Sequence, residues 1–421
     1  MKTPTLLREA LPYIRQFSGK TVVLKFSGKN LDAKNFENIV ADISLLHALG
    51  VRIVIVHGAG PQIEAHLPKN SLKIHGLRVT STEEMDIITS LLPDITHRIS
   101  NHLRDWRLNP VIFPSAVFRV GQKDFGPEHK NHHTGEITKV SVRTLESALE
   151  EGLIPVFSPL VSNENGEIFN VNADELAVEL AVDLKAKKLV FFSDVQGIVD
   201  GEKNLISVLS LQKIPELSEK NIISGGMIPK VKACEKAILG GVKRCHIVNG
   251  LQDGALLTEF FTREGCGTMI LDDPVAYQHV RPSQKDDFGV LVRLLEENVQ
   301  EGYLRPRTRE EVEKSLSEYL IFEIDEQIVG CVSVRHFKGM AEIGALAIQE
   351  KFRTQGIAKI LLEEAEKKAK EEGFLQVFAI TILAGGFFQA LGYKEVSRDT
   401  IPLSRQKDIE HTEKRVYGKI L

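Results

Sequence analysis

The sequence predicts an α/β protein built from two modules, an open α/β/α sandwich followed by a smaller α+β domain. Three observations lead there. At 421 residues the chain exceeds one ordinary hydrophobic core. From about Thr21 to Asp272, short apolar strands alternate with amphipathic helices, the pattern of a largely parallel sheet covered on both faces. A polar stretch with Pro274 and Pro282 then interrupts that rhythm, and strands and helices follow in a different order.

The elements follow in turn. Met1 to Gln16 reads as an amphipathic helix with no partner nearby in sequence, so residues 1–20 are expected to serve oligomerisation. Thr21 to Phe26 is a strand, Asn35 to Leu49 a helix, and Val51 to His57 a strand apolar enough to be central. Ile154 to Phe157, Lys188 to Ser193, Arg244 to Val248 and Thr268 to Leu271 continue the sheet of a module spanning 21–272. Residues 273–287 are expected to be a linker. The second module, 288–421, opens with helices at Phe288 to Gly302 and Arg309 to Glu318. Strands at Leu320 to Ile324, Ile328 to Arg335 and Met340 to Ile348 precede a long helix, Lys359 to Glu372. Strands at Gln376 to Thr381 and Val416 to Leu421 flank a short helix near Phe387.

Composition narrows the function classes. With 43% hydrophobic and 26% charged residues and a net charge of −4, neither nucleic acid nor an anionic membrane is an expected partner. No apolar run is long enough to cross a bilayer. The four cysteines, Cys234, Cys245, Cys266 and Cys331, fit no metal spacing, and no metal is expected. A cytoplasmic location is the simplest expectation.

Two sets of motifs carry chemistry. The first is Arg353-Thr354-Gln355-Gly356-Ile357-Ala358, which joins an apolar strand to the long helix. A helix start offers free N–H groups to phosphate, and Gly356 and Ala358 let it approach closely. Strand, R-x-x-G-x-A and helix together resemble the acetyl-CoA site of the GNAT superfamily of N-acetyltransferases. The resemblance implies that Arg353 to Ala358 hold the pyrophosphate, and that backbone amides near Leu346 and Ile348 hold pantetheine and polarise the thioester. An ammonium acceptor needs a base, and Glu342 at the start of the strand is the candidate. Thr381 is the expected donor to the departing thiolate.

The second set consists of glycine clusters at strand ends: Lys25-Phe26-Ser27-Gly28, His57-Gly58-Ala59-Gly60, Ser193 to Gly197 and Gly225 to Lys230. With His75-Gly76-Leu77-Arg78-Val79-Thr80 and Asn170-Val171-Asn172-Ala173-Asp174, they resemble the amino acid kinase family, its acetylglutamate-phosphorylating members above all. The resemblance implies that Lys25 and Lys230 neutralise a migrating phosphoryl group, with Asp174 holding the two lysines in register. Gly28, Gly58 and Gly60 would present amides, Asn172 would sit in the site, and Arg78 would grip a carboxylate. Ser27 and Ala59 stand where that family usually has glycine, which leaves phosphoryl transfer from ATP and magnesium open. His246, Glu259 and Gly267 in its glycine turn are similar to the arginine-inhibited members, with Glu259 as partner for a guanidinium.

The fusion resembles the amino-acid N-acetyltransferase family. That implies transfer of acetyl from acetyl-CoA to L-glutamate at the entry to arginine biosynthesis, with L-arginine as effector and a homo-oligomer as the working form. Arg307 and Arg415 are then the expected cations for the two carboxylates of glutamate. The alternatives are an enzyme that also phosphorylates the acetylated product, and a non-catalytic arginine sensor.

Overall fold

The computed structural model describes residues 10–11, 13–68, 71–74, 76–113, 117–262, 265–273, 278–324, 327–353, 356–409 and 413–421. The chain divides into two compact units, Met1–Pro274 and Val275–Leu421. Among the described residues, no helix is long and apolar enough to cross a membrane. All four cysteines are buried and unbridged.

The first unit is built on an eight-stranded sheet with Thr21–Phe26 at its centre, between Lys188–Ser193 and Arg52–His57, both parallel to it. Ile154–Phe157 and Pro110–Ile112 extend one side, Cys245–Asn249 the other. Along the central strand Val22, Leu24 and Phe26 enter one core layer and Val23 the other, as the two-residue repeat requires. A buried charge follows at Lys25, where the strands end. One expectation needs correction: Thr268–Leu271 does not continue the parallel order but runs antiparallel to Cys245–Asn249. The amides of Cys266 and Gly267 bind the Glu259 carboxylate, so the chain reverses directly after helix Ala255–Phe261.

The second unit holds a seven-stranded sheet, in spatial order Gln278–Pro282, Tyr319–Ile324, Gln327–Phe337, Met340–Ile348, Gln376–Thr381, Arg415–Ile420 and Lys394–Val396. Its one parallel pair joins Met340–Ile348 to Gln376–Thr381. Helix Ile357–Glu371 covers one face and helix Phe288–Gln300 the other. The stretch expected as a linker contains the first strand of this sheet. Its polar edge residues hid it, but Arg281 anchors it through Asp287 at 2.8 Å and Glu323 at 2.5 Å. Of the N-terminal helix, Ala10, Leu11 and Tyr13 to Phe17 are among the described residues and are helical.

One group in the first unit is held against its own charge. Asp42, on helix Phe36–Ala48, is pushed up to about 6 by burial and then by the neighbouring Asp253, and one of its oxygens has no hydrogen-bond partner. Its folded pKa thus lies above the unfolded value of about 3.9. The folded state holds the extra proton between roughly pH 4 and 6, so stability falls as pH rises through that window and the deficit persists above it. Asp42→Asn should therefore stabilise this unit at neutral pH by about 1 kcal/mol, solvent screening trimming the gain at a half-exposed site. Below about pH 4 the gain should vanish, which urea titrations at the two pH values would test.

Candidate active site

In the second unit the sheet opens between its parallel strands. Met340–Ile348 and Gln376–Thr381 pair only at Ala341 with Val377 and Glu342 with Phe378, then diverge. On the other edge, Ser333 pairs with Gly344 and Cys331 with Ala347, so Val332 alone faces both Ala345 and Leu346. This bulge puts Ala345 at a φ of 50°, a strained backbone for a residue with a Cβ. Gln349 gives its N–H to Val329 of the neighbouring strand. Alternation therefore turns the amides of Ile348 and Leu346 the other way, into the gap.

Past the strand, Gly356 at φ 75° starts helix Ile357–Glu371, whose first turn has no side-chain cap. The amides of Ile357 and Ala358 are thus left for an anion. Thr354 and Gln355 lie outside the described residues. Arg353 does not point at that helix start. Its guanidinium ion-pairs with Glu301, donates to Asn298 Oδ1 at 3.3 Å and to the Ile348 carbonyl at 3.3 Å, and stacks on Tyr303 at 4.6 Å. The expected pyrophosphate contact through this side chain is corrected to an anchor for the loop, because a carboxylate and a ring already hold the cation.

The two faces of the sheet separate the remaining candidates. Ala341, Ile343, Val377 and Ala379 pack with the long helix, whereas Cys331, Ala345 and Ala347 pack with helix Phe288–Gln300. By alternation Thr381 belongs to the long-helix face and Glu342 to the other. Thr381 Oγ1 accepts the Ala384 N–H at 3.0 Å, which fixes the hydroxyl and leaves its proton to donate. Arg415 lies opposite Thr381, two residues before Tyr417, and so shares the Thr381 face. It is well exposed with Glu395 3.5 Å away. The sheet thus places Arg415 away from Glu342, against the expectation that it holds the acceptor with Arg307.

Two guanidinium groups flank Glu342, and a third, Arg307, lies near Arg335. Arg405, on helix Leu403–Ile409, binds both Glu342 oxygens, Nε at 2.7 Å and an Nη at 2.5 Å. Arg335 pairs with Glu342 in register and bonds Glu318 at 3.2 Å. Arg307 lines a pocket of about 160 Å³ with Val292, Leu295 and Val312. Its Nη1 donates to the Arg305 carbonyl at 3.2 Å, its Nε is buried without a partner, and burial lowers its pKa. Among the described residues no carboxylate pairs with it. Sequence reasoning missed Arg335 and Arg405. The strand alternation that puts Arg335 beside Glu342 was readable, but the packing of Arg405 from a helix some sixty residues on was not.

In the first unit Lys25, Gly28, Gly58, Gly60, Arg78, Asn172 and Lys230 line one cleft of about 540 Å³. Asp174 pairs with Lys25 at 2.6 Å. It forms no ion pair with Lys230 among the described residues, so it orders one lysine and not two. Asn172 caps helix Ala173–Asp183 by accepting the Asp174 and Glu175 amides. Gly58 gives its N–H to Phe26 at 2.8 Å and so has none left for phosphate. Arg78 already contacts Ser71 at 2.5 Å and Glu64 at 3.6 Å. Ser27 donates to Asn30 Oδ1, and Lys29 bridges to Asp194 at 2.6 Å, beside the same cleft.

Residues 20–249 match the amino acid kinase family, and residues 283–393 match the acetyltransferase (GNAT) family. An amino-acid acetyltransferase of Shigella flexneri is 31% identical over 95% of this chain and 94% of its own length. That of Escherichia coli strain K12 is 30% identical with the same coverage. The chain belongs to the amino-acid acetyltransferase family. Among solved structures, N-acetylglutamate synthase from Neisseria gonorrhoeae complexed with coenzyme A and L-arginine matches over 100% of both chains. The identity is 27% and the TM-score 0.85. The same synthase complexed with coenzyme A and N-acetyl-glutamate gives 28% and 0.63.

This acetyltransferase carries a second charged cluster in its kinase-like unit. Glu259 is buried and fully engaged: His246 Nδ1 donates to it at 2.5 Å, and the amides of Cys266 and Gly267 donate at 3.0 and 3.3 Å. Burial opposes its charge, but His246, Lys188 and the Cys266 amide hold its carboxyl below the ordinary range. The expected open partner for a guanidinium is thus a closed internal network. Sequence reasoning missed Lys188, whose ammonium lies 4.7 Å from both the Phe17 and Phe260 rings and donates to the Glu259 carbonyl. Burial pulls that lysine down to about 7 and His246 to about 4. Lys188 opens an apolar strand, where spacing gives no signal of a charge partner.

Proposed function

We propose that the protein transfers acetyl from acetyl-CoA to the α-amino nitrogen of L-glutamate, giving N-acetyl-L-glutamate and CoA, as the arginine-regulated first step of L-arginine biosynthesis. The observation that carries the reading is Arg307, a half-buried cation that pairs with no carboxylate among the described residues, on the Glu342 face of the sheet. A cation so placed calls for an anionic ligand. The synthase complexes with coenzyme A, N-acetyl-glutamate and L-arginine support the same substrate and effector.

In this reading acetyl-CoA lies on the long-helix face, its pyrophosphate at the amides of Gly356 to Ala358. The thioester enters the gap, where the Leu346 and Ile348 amides stabilise the developing oxyanion. Glutamate approaches from the other face, and Glu342 takes a proton from its ammonium. The neutral amine attacks the thioester carbon, the carbon–sulfur bond breaks, and the second proton lost by the nitrogen passes by way of the Thr381 hydroxyl to the leaving thiolate. The kinase-like unit assembles the oligomer and receives arginine beside the turn at Gly267, whose amide, with His246, keeps Glu259 in its internal network. Free thiol released from acetyl-CoA, with and without L-glutamate and L-arginine, tests the reading. It is wrong if release does not depend on glutamate.

A second reading, that the protein also phosphorylates its product, is favoured by the gathering of Lys25, Gly28, Arg78 and Lys230 around one cleft. ATP- and magnesium-dependent hydroxamate formation from N-acetyl-glutamate should then appear and be lost in Lys230→Ala. Activity retained in that variant would remove Lys230 from the site.

A further inference from the structure

A dicarboxylate acceptor needs two cations, and on the Glu342 face one guanidinium already grips a carboxylate in two prongs. Among the described residues Arg307 pairs with no carboxylate, Arg335 is held by Glu318, and Arg415 lies on the opposite face. The gripping guanidinium is Arg405, and the carboxylate is Glu342 itself. Both side chains of that pair are about a tenth exposed, and the contact is two-pronged, the geometry a substrate carboxylate would use. The same contact occupies both oxygens of the group that must accept a proton.

We propose that Arg405 is a carboxylate receptor of the acceptor site, closed in the free enzyme by Glu342, and that the second carboxylate of the incoming dicarboxylate displaces Glu342 and frees it to act as base. This rests on the acetyl-transfer reading above. The exchange conserves charge: one carboxylate replaces another on the guanidinium, and the released one takes the proton that leaves the substrate ammonium. A ligand can open such a clamp only through its differential affinity for the open state. An acceptor with one carboxylate leaves Glu342 held, whereas glutamate brings a second carboxylate to compete for Arg405. Selection for a dicarboxylate and activation of the base then become one event. L-Glutamine, the same size with one carboxylate, should bind without releasing the base.

The test is binding, so that it does not depend on turnover. Glutarate, a five-carbon dicarboxylate without an amine, is titrated calorimetrically into the full chain, wild type and variants. Glu342→Gln removes the internal competitor and should tighten glutarate by about tenfold while acetyl transfer falls. Arg405→Met should weaken glutarate at least tenfold, and Arg405→Lys should restore little of it, because an ammonium lacks the planar fork. Melting curves establish that each variant is folded, and Glu342→Gln alone decides the matter if the arginine variants are not. Wild type that acetylates glutamate, with Glu342→Gln binding glutarate no more tightly, overturns the clamp and leaves the acetyl-transfer reading standing. Wild type that neither binds glutarate nor releases thiol with glutamate overturns both.

Discussion

Arg307→Ala should lower kcat/KM for L-glutamate by about 10²–10³-fold while leaving the KM for acetyl-CoA near its original value. The size follows from the chemistry of the contact. A charge-assisted hydrogen bond in a partly buried pocket contributes about 1.5–3 kcal/mol, a two-pronged one more, and each 1.4 kcal/mol is tenfold in rate. The fold should tolerate the change, because among the described residues Arg307 hydrogen-bonds only to the Arg305 carbonyl. Removing a buried donor without a partner also relieves a cost of folding. Arg307→Lys should recover little, since the planar fork is lost. Steady-state kinetics varying glutamate and acetyl-CoA separately will show the split, and an unchanged KM and kcat for glutamate would remove Arg307 from the acceptor site.

The second large effect is on stability. At Gly267 an added Cβ would lie 2.2 Å from the Ile247 carbonyl oxygen and 3.2 Å from Val248 Cα, both backbone atoms of the adjoining strand. No side chain can rotate away, so Gly267→Ala must part Cys245–Asn249 from Thr268–Leu271 or shift the turn between them. A loss of about 3 kcal/mol or more is expected, in the upper range for overpacking. The turn also carries two of the amides that hold Glu259, so the His246–Glu259 network should loosen with it. Chemical denaturation of the full chain, with hydrogen exchange at Met269 and Ile270 as the local readout, measures both. Wild-type stability in this variant would mean that the strands separate at little cost.

Most of the fold was legible because the central strands are apolar on both faces. Thr21–Phe26, Ile154–Phe157, Lys188–Ser193, Met340–Ile348 and Gln376–Thr381 fall where the hydrophobic runs place them. Less legible elements have physical reasons for being so. Gln278–Pro282 is a polar edge strand whose stability comes from Arg281 and its carboxylates rather than from an apolar face. Helix Thr82–Asp105 carries Pro93 inside it, a residue that ordinarily stops a helix.

The candidate sites divide along the same line. Residues drawn from one continuous run carry their local geometry with them: Gly356 opens its helix without a side-chain cap, and Leu346 and Ile348 lie where two strands diverge. Residues whose role depends on a distant partner were not. Arg353 is an anchor because Glu301 and Tyr303 meet it, and Arg415 faces the wrong side because its register with Thr381 puts it there. Glu342 is clamped by a residue 63 positions away.

By itself the sequence determined the two modules, the strand ends that carry the candidate residues, and the residue types available for phosphate, carboxylate and proton. Those are consequences of local periodicity and backbone freedom, which a linear string carries. Only the tertiary structure decided which charge meets which, and on which face of the sheet. Ion pairing over tens of residues is fixed by packing, and packing is not written in spacing.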